Sequence, residues 1–381
     1  MKFKLTLLLL LVALVTQAQD SLFARRMVDT LTSPHFWGRG YTNDGMDKAG
    51  RFIADQFKSY GLRPLSGNSY MQEFSFNANT FPGKMDVSIN GVALVPGREF
   101  IVGPQSKEVK GKGTLVQKDS THFVDEENRV VLSIEKKLTW SVAQETADFT
   151  AIQVDAKVVK QQPTMLTVNI ESKLINNFTT ANICGMVRGT TKPDSFIVFS
   201  AHYDHLGGMG ADTYFPGAND NASGVSQLLS LAKYYATNPQ SYSMVFIGFS
   251  GEEAGLLGSK YFSEHPLINL ANIRFLVNMD ILGTGDEGIM VVNATVYPKE
   301  LNILKGLNDT GKYLPKISSR GKAANSDHYW FTEKGVPAFY MYTMGGIKAY
   351  HDIFDISKTL PLNGYNGVFK LLTGFVKELS K

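Results

Sequence analysis

Phe196-Ile197-Val198-Phe199-Ser200 runs directly into Ala201-His202-Tyr203-Asp204-His205, and this junction decides how the chain folds. The first five residues lack the polar alternation of a half-exposed strand, as expected of a strand covered on both faces. Three more apolar runs follow: Met244-Val245-Phe246-Ile247-Gly248-Phe249, Ile273-Arg274-Phe275-Leu276-Val277-Asn278-Met279 and Ala338-Phe339-Tyr340-Met341-Tyr342. Helical spacing lies between and after them, at Val225, Leu228, Leu229 and Ala232, and at Val368, Leu371, Leu372, Phe375 and Leu379. Strands alternating with helices predict an α/β fold, a three-layer sandwich on a mixed, mostly parallel central sheet.

Upstream the pattern differs. Residues 21–62 read as two helices, the second carrying Ala49, Phe52, Ile53 and Phe57 and stopping at Gly61, with the loop His35-Phe36-Trp37-Gly38-Arg39-Gly40 between them. From about Phe74 to Ile170 the chain reads as short strands, such as Thr114-Leu115-Val116, Val130-Val131-Leu132 and Ala151-Ile152-Gln153-Val154, separated by turns such as Asp125-Glu126-Glu127-Asn128. The expected plan is a main α/β domain over 20–75 and 175–381, with a β-rich inserted or accessory segment over 80–170. Before it, Lys2 and Lys4, an apolar run from Leu5 to Val15 and the small-residue site Thr16-Gln17-Ala18 read as a signal peptide over 1–19. The run is too short to span a bilayer. The mature protein is therefore expected to be secreted or periplasmic, with no membrane attachment after signal removal.

Composition narrows the function. The chain has 381 residues, 43% hydrophobic and 19% charged, with 38 Lys plus Arg against 35 Asp plus Glu and a net charge of +3. That is globular composition, with no basic tract for nucleic acid. The single cysteine, Cys184, excludes an internal disulfide and reads as a buried, inert thiol.

Two familiar motifs fail. Gly283-Thr284-Gly285-Asp286-Glu287-Gly288 has dinucleotide-loop spacing, but Ile289-Met290-Val291-Val292 after it reads as strand where that loop needs a helix. Gly248-Phe249-Ser250-Gly251-Glu252 resembles a serine-hydrolase elbow but ends in Glu instead of Gly. What remains is a set of acids and histidines at the C-terminal ends of strands, where open α/β sheets bind ligands. His202 ends the first strand, Asp220 opens the next helix, Glu252 and Glu253 end the second strand, Asp280 ends the third, and His351 follows the fourth. Carboxylates gathered so densely repel one another, and cations at their centre relieve the cost. Two imidazoles with three carboxylates suit a pair of zinc ions, with a fourth carboxylate free to act as base.

These elements resemble the secreted co-catalytic di-zinc aminopeptidases of the aminopeptidase Y and aminopeptidase S type, which have the phosphorylase/hydrolase-like zinc-peptidase fold. The shared pattern reads here as His202-Tyr203-Asp204, Asp220-Asn221-Ala222-Ser223-Gly224, Glu252-Glu253-Ala254-Gly255-Leu256-Leu257-Gly258-Ser259, Asp280 and Tyr350-His351. The second element has one residue between Asn221 and Ser223 where the family has two. The resemblance covers roughly 20–75 and 175–381 and implies that the main domain is catalytic. It implies that His202 and Asp280 bind one zinc, Glu253 and His351 the other, and that Asp220 bridges them. It further implies a metal-bridging water with Glu252 as general base, Asp204 orienting His202, Tyr350 donating to the oxyanion and Asp327 supporting the ligands. The substrates it implies are peptides, cut after the N-terminal residue.

Several residues have plainer readings. His205 reads as a loop or supporting residue, Ser326-Asp327-His328 as a helix cap or a site element, and Asp352 and Asp355 as shapers of the loop presenting His351. His35, His122 and His265 read as surface or packing residues. Glutaminyl-peptide cyclase activity, which uses one zinc on the same scaffold, and carboxypeptidase activity are the alternatives within the family. A non-catalytic relative would have lost ligands, and none is missing.

Overall fold

The computed structural model describes residues 21–381. The signal peptide expected over 1–19 lies outside the described residues. The central sheet has nine strands. Its main path runs Arg63–Pro64, Lys173–Val187, Tyr242–Phe249, Lys192–His202, Ile273–Met279, Ala338–Thr343, Ile289–Val292 and Ile317–Ser319, and Met71–Thr80 pairs with Lys173–Val187 off this path. The four middle strands, 242–249, 192–202, 273–279 and 338–343, are mutually parallel. The strands flanking this group, 173–187 and 289–292, pair antiparallel to it. The sheet is thus mixed, as its apolar runs predict, with a parallel centre.

Both faces of that centre are covered, so neither set of alternating side chains is polar. Ile197, Phe199, Phe246, Val277 and Phe339 point into one core with Val28, Ile53, Phe57, Leu229, Leu304 and Phe375 from the helices on that side. Val198, Val245, Phe249 and Leu276 point the other way, into a smaller core with Phe262 and Phe331 from the short helices Leu257–Glu264 and His328–Glu333. Cys184 sits buried in this second core, and burial pushes its thiol far up, away from reactivity. The 45–60 helix ends as read, with Gly61 in the left-handed conformation capping it.

Residues 85–170 build two further sheets. The five-stranded one runs Phe100–Val102, Thr150–Asp155, Val130–Glu135, His122–Asp125, Val116–Gln117, and the four-stranded one Val92–Leu94, Met85–Ile89, Met165–Ile170, Val109–Thr114. They share a core of their own, which also takes Leu206, Met209 and Phe215 from the loop after the 192–202 strand. Two local expectations differ. Thr114-Leu115-Val116 is not one strand, because the chain passes there from the four-stranded to the five-stranded sheet, with Leu115 buried at the crossing. The expected loop at 35–40 holds a short 3-10 helix, Pro34–Arg39, and its Arg39 is wholly buried.

Phe199 has no exposed surface and lies 6.3 Å from Tyr235 and 6.1 Å from Phe246, ring centre to ring centre. Phe199→Ala is expected to cost about 3–5 kcal/mol, read as a lower urea midpoint at unchanged slope.

Candidate metal centre

The C-terminal ends of the parallel strands carry the predicted side chains into one cleft. His202 Nε2 lies 3.2 Å from Asp280 Oδ1 and 3.3 Å from Asp220 Oδ1. His351 Nε2 lies 3.1 Å from Asp220 Oδ2 and 3.1 Å from Glu253 Oε2. Asp220 therefore gives one oxygen to each histidine. The ligand atoms of His202, Glu252 and Asp280 also lie within 4.8 Å of one another. Two donor atoms at a tetrahedral angle, each about 2.0 Å from one zinc ion, are about 3.3 Å apart. The observed spacings match that value on both sides of Asp220, and the nitrogen and oxygen donor set suits zinc.

Side chains that bond to backbone hold these loops together. The Asp204 carboxylate accepts the Glu252 and Glu253 N–H groups, each at 3.2 Å, tying the 202–205 loop to the acidic turn. Asn221 donates to the Met279 carbonyl at 3.0 Å and accepts the Ile281 N–H at 3.2 Å, while Asn219 accepts the Gly283 N–H at 2.8 Å. This zips Asp220 against Asp280. Asp355 accepts the Asn219 and Asp220 N–H groups at 2.8 and 3.0 Å. Under Asp280 runs a buried relay: Ser200 donates to Asn278 at 2.8 Å, Asn278 to Ser326 at 2.7 Å and Ser326 to Asp280 at 3.3 Å.

Arg39 anchors the set from below. Its guanidinium donates to the carbonyls of Tyr203, Leu31, Pro216, Gly217 and Asp220 at 2.7–3.1 Å. Burial lowers its pKa to about 10, with Asp220 and Asp355 opposing the fall, so it stays charged at neutral pH. Its loop meets the 205–207 loop backbone to backbone: a Cβ on Gly40 would lie 2.2 Å from the Gly207 Cα, and Gly207 itself has φ +77°. Only glycine fits such an approach.

The carboxylates and imidazoles of the cleft shift one another's affinity for protons. Burial opposes charge on His202, but Asp280 and Glu252 outweigh it and raise its pKa well above the usual range. For His351 burial is likewise outweighed, by Glu253 and Asp220, and its pKa rises to about 11. Burial also resists ionisation of Glu253, yet His351 and His205 bring it down to about 2. Glu252 goes the other way: burial, then Asp327 and Glu253, push its carboxyl well above the usual range despite His202.

The five residues expected to bind metal are brought together, with Glu252 beside them. Asp204, expected to orient His202, faces His202 Nδ1 with its backbone carbonyl at 3.2 Å, while its carboxylate lies 3.7 Å away and is occupied with the acidic turn. Tyr350 lays its half-exposed ring on His351, 4.0 Å between centres. Asp327 is fully buried, and burial pushes its carboxyl up to about 7. Asp327 stands at the N-cap position of the His328–Glu333 helix but makes no side-chain capping bond there, the Ser326 carbonyl accepts the Tyr329 N–H at 3.1 Å, and the Ser326 hydroxyl serves Asp280. His205, read as a loop or supporting residue, is buried with Nδ1 2.6 Å from Glu253 Oε1. Asp355, read as a shaper of the loop presenting His351, also holds the Asn219 and Asp220 N–H groups, and Arg39 was missed as an organiser of the site. The two glycines flanking Arg39 were the available signal.

Residues 182–376 match the family described as Peptidase family M28. Aminopeptidase YwaD of Bacillus subtilis is 26% identical over 247 residues, which cover 60% of this chain and 52% of that protein. The solved structure of BSAP, a zinc aminopeptidase from Bacillus subtilis, shares the fold at TM-score 0.70 and 18% identity over 94% of this chain and 95% of that one. A Peptidase M28 precursor from Shewanella amazonensis shares it at TM-score 0.73 and 14% identity, over 97% and 95%. The chain spans about half the length, or less, of the curated relatives it matches.

A cation must displace the protons on His202 and His351 to reach their nitrogens. Zinc uptake at pH 7 is therefore expected to release protons and to weaken as pH falls. Calorimetric titration in buffers of different ionisation heat measures this release.

Proposed function

The chain belongs to peptidase family M28, and from that premise we propose that it is a zinc-dependent aminopeptidase holding two zinc ions. The observation that carries the proposal is the division of Asp220, one oxygen toward His202 and the other toward His351. His202 and Asp280 would hold one ion, Glu253 and His351 the other, with Asp220 shared. Bound there, zinc lowers the pKa of water toward neutrality and polarises the scissile carbonyl.

The chain's own residues supply the rest. Glu252 takes the proton of the attacking water and returns it to the leaving amine. Burial gives its carboxyl a high proton affinity, and the Asp204 bond to its N–H fixes where it stands. Tyr350 covers His351 at the open side of the site. Burial, then Asp220 and Glu253, raise its pKa, so its hydroxyl keeps the proton needed to donate to the oxyanion. Carboxylates around the cleft suit the free amine of a peptide's first residue. The shared Asp220 favours a two-ion peptidase over a one-zinc glutaminyl cyclase, and the names of YwaD and BSAP favour aminopeptidase over carboxypeptidase. The signal reading of residues 1–19 supports activity outside the cytoplasm. Among the described residues no helix is long and apolar enough to cross a membrane.

Incubation of the zinc-loaded protein with peptides beginning in Leu, Gly, Ala or Gln, followed by mass, is expected to show loss of one N-terminal residue, blocked by a chelator. Ammonia loss confined to Gln peptides would make it a cyclase, and loss from the C-terminus a carboxypeptidase. Glu252→Gln is expected to keep its zinc and lose about 10²–10⁴-fold in kcat. Full turnover in that variant would remove Glu252 from the mechanism.

A further inference from the structure

The accessory sheets reach into the metal centre. Between the strands Val130–Glu135 and Thr150–Asp155 the chain leaves the five-stranded sheet as a segment without helix or strand. Its first contact is Lys137, whose Nζ donates to the carbonyls of Lys348 and Tyr350 at 3.0 and 3.2 Å and lies 3.5 Å from the Asp352 carboxylate. Trp140 follows with a reciprocal pair of bonds to His351. Its N–H donates to the His351 carbonyl at 2.9 Å, and its own carbonyl accepts from His351 Nδ1 at 2.9 Å. Gln144 then donates to the carbonyl of Ala254, next to Glu253, at 2.9 Å.

The segment is itself firmly held. Trp140 is buried, its indole N–H donates to the Val102 carbonyl at 2.8 Å, and its ring stacks on Phe215 at 4.6 Å. His351 needs such a partner, because its φ of 53° is left-handed, a conformation that costs a non-glycine residue about 1–2 kcal/mol. The bond to Trp140 also settles the chemistry of the ring. A carbonyl oxygen only accepts, so Nδ1 carries the hydrogen. Nε2, the nitrogen facing Asp220 and Glu253 at 3.1 Å, is then the one with a lone pair to give.

We propose that this 137–144 strap is a positioning element of the metal centre: it fixes the tautomer and orientation of His351 and clamps the loops of His351 and Glu253 together. The accessory sheets are thereby part of the catalytic apparatus. The inference rests on the zinc-peptidase reading of the same site. Partners that orient a ligating histidine through its second nitrogen are worth about 10–100-fold in metal affinity.

The test uses the full zinc-loaded chain and the variants Lys137→Ala and Gln144→Ala, singly and combined. Both side chains are solvent-accessible, so the fold is expected to survive, and melting of the metal-free proteins checks that it does. Zinc release into excess chelator is followed with a chromogenic indicator. One of the two ions is expected to leave about 10–100-fold faster in the double variant, with the other unchanged. In the wild type, nitrogen-15 histidine spectra are expected to show His351 protonated at Nδ1. Equal release from wild type and double variant, or a His351 without that proton, overturns the strap while leaving the zinc-peptidase reading intact. A wild-type chain that takes up no zinc overturns both.

Discussion

Asp220, Glu252, Glu253 and Asp280 share one buried cleft, and most of the polar architecture around it answers the repulsion among these four carboxylates. Burial raises the proton affinity of Glu252 and of Asp280, which eases the repulsion. The other two are stabilised as anions by His202 and His351, which take up protons in turn. Cations would replace those protons without moving a side chain, since the nitrogen-to-oxygen spacings already suit a tetrahedral ion. A cleft assembled this way is expensive to desolvate, and its worth lies in binding rather than stability.

Holding like charges together requires a rigid frame, and here the frame is bonded to backbone. The Asp204 and Asp355 side chains accept N–H groups of the loops that carry Glu252, Glu253 and Asp220. Arg39 does the converse with five carbonyls, three of them within the 216–220 segment. One charged group thus satisfies several backbone atoms that the loops cannot pair among themselves. The fork geometry of the guanidinium is what allows it, and a lysine has too few donors to replace it.

How far the sequence could be read follows from which atoms act. The parallel centre of the sheet was legible because both its faces are apolar, as Phe199 on one side and Val198 on the other show. The ligands were legible because side chains themselves meet in the cleft, and a histidine or aspartate at a strand end is visible by type. Asp355, Ser326 and Arg39 act at a distance in sequence, on backbone or on another side chain, and beyond the glycines flanking Arg39 nothing in their neighbours marks that partner. The Trp140 carbonyl has no residue signature at all. The break at Leu115 was hidden for a related reason. Thr114-Leu115-Val116 has strand propensity throughout, and only the presence of two sheets makes it a crossing.

The position of the strap has a further consequence for how the molecule coheres. The loop after the 192–202 strand carries Asp204 and His205 in the cleft, then sends Leu206, Met209 and Phe215 into the accessory core before Asp220 returns to the site. Trp140 stacks on that same Phe215 while its backbone holds His351. Opening the accessory core would therefore release His351, and would slacken the chain between His205 and Asp220 as well. Both groups lie on the side of the cleft that pairs His351 with Glu253 and Asp220. His202 and Asp280 instead rest on the central sheet, with Ser200, Asn278 and Ser326 beneath them. His351 is thus braced from the accessory core and His202 and Asp280 from beneath the central sheet, while Asp220 faces both histidines.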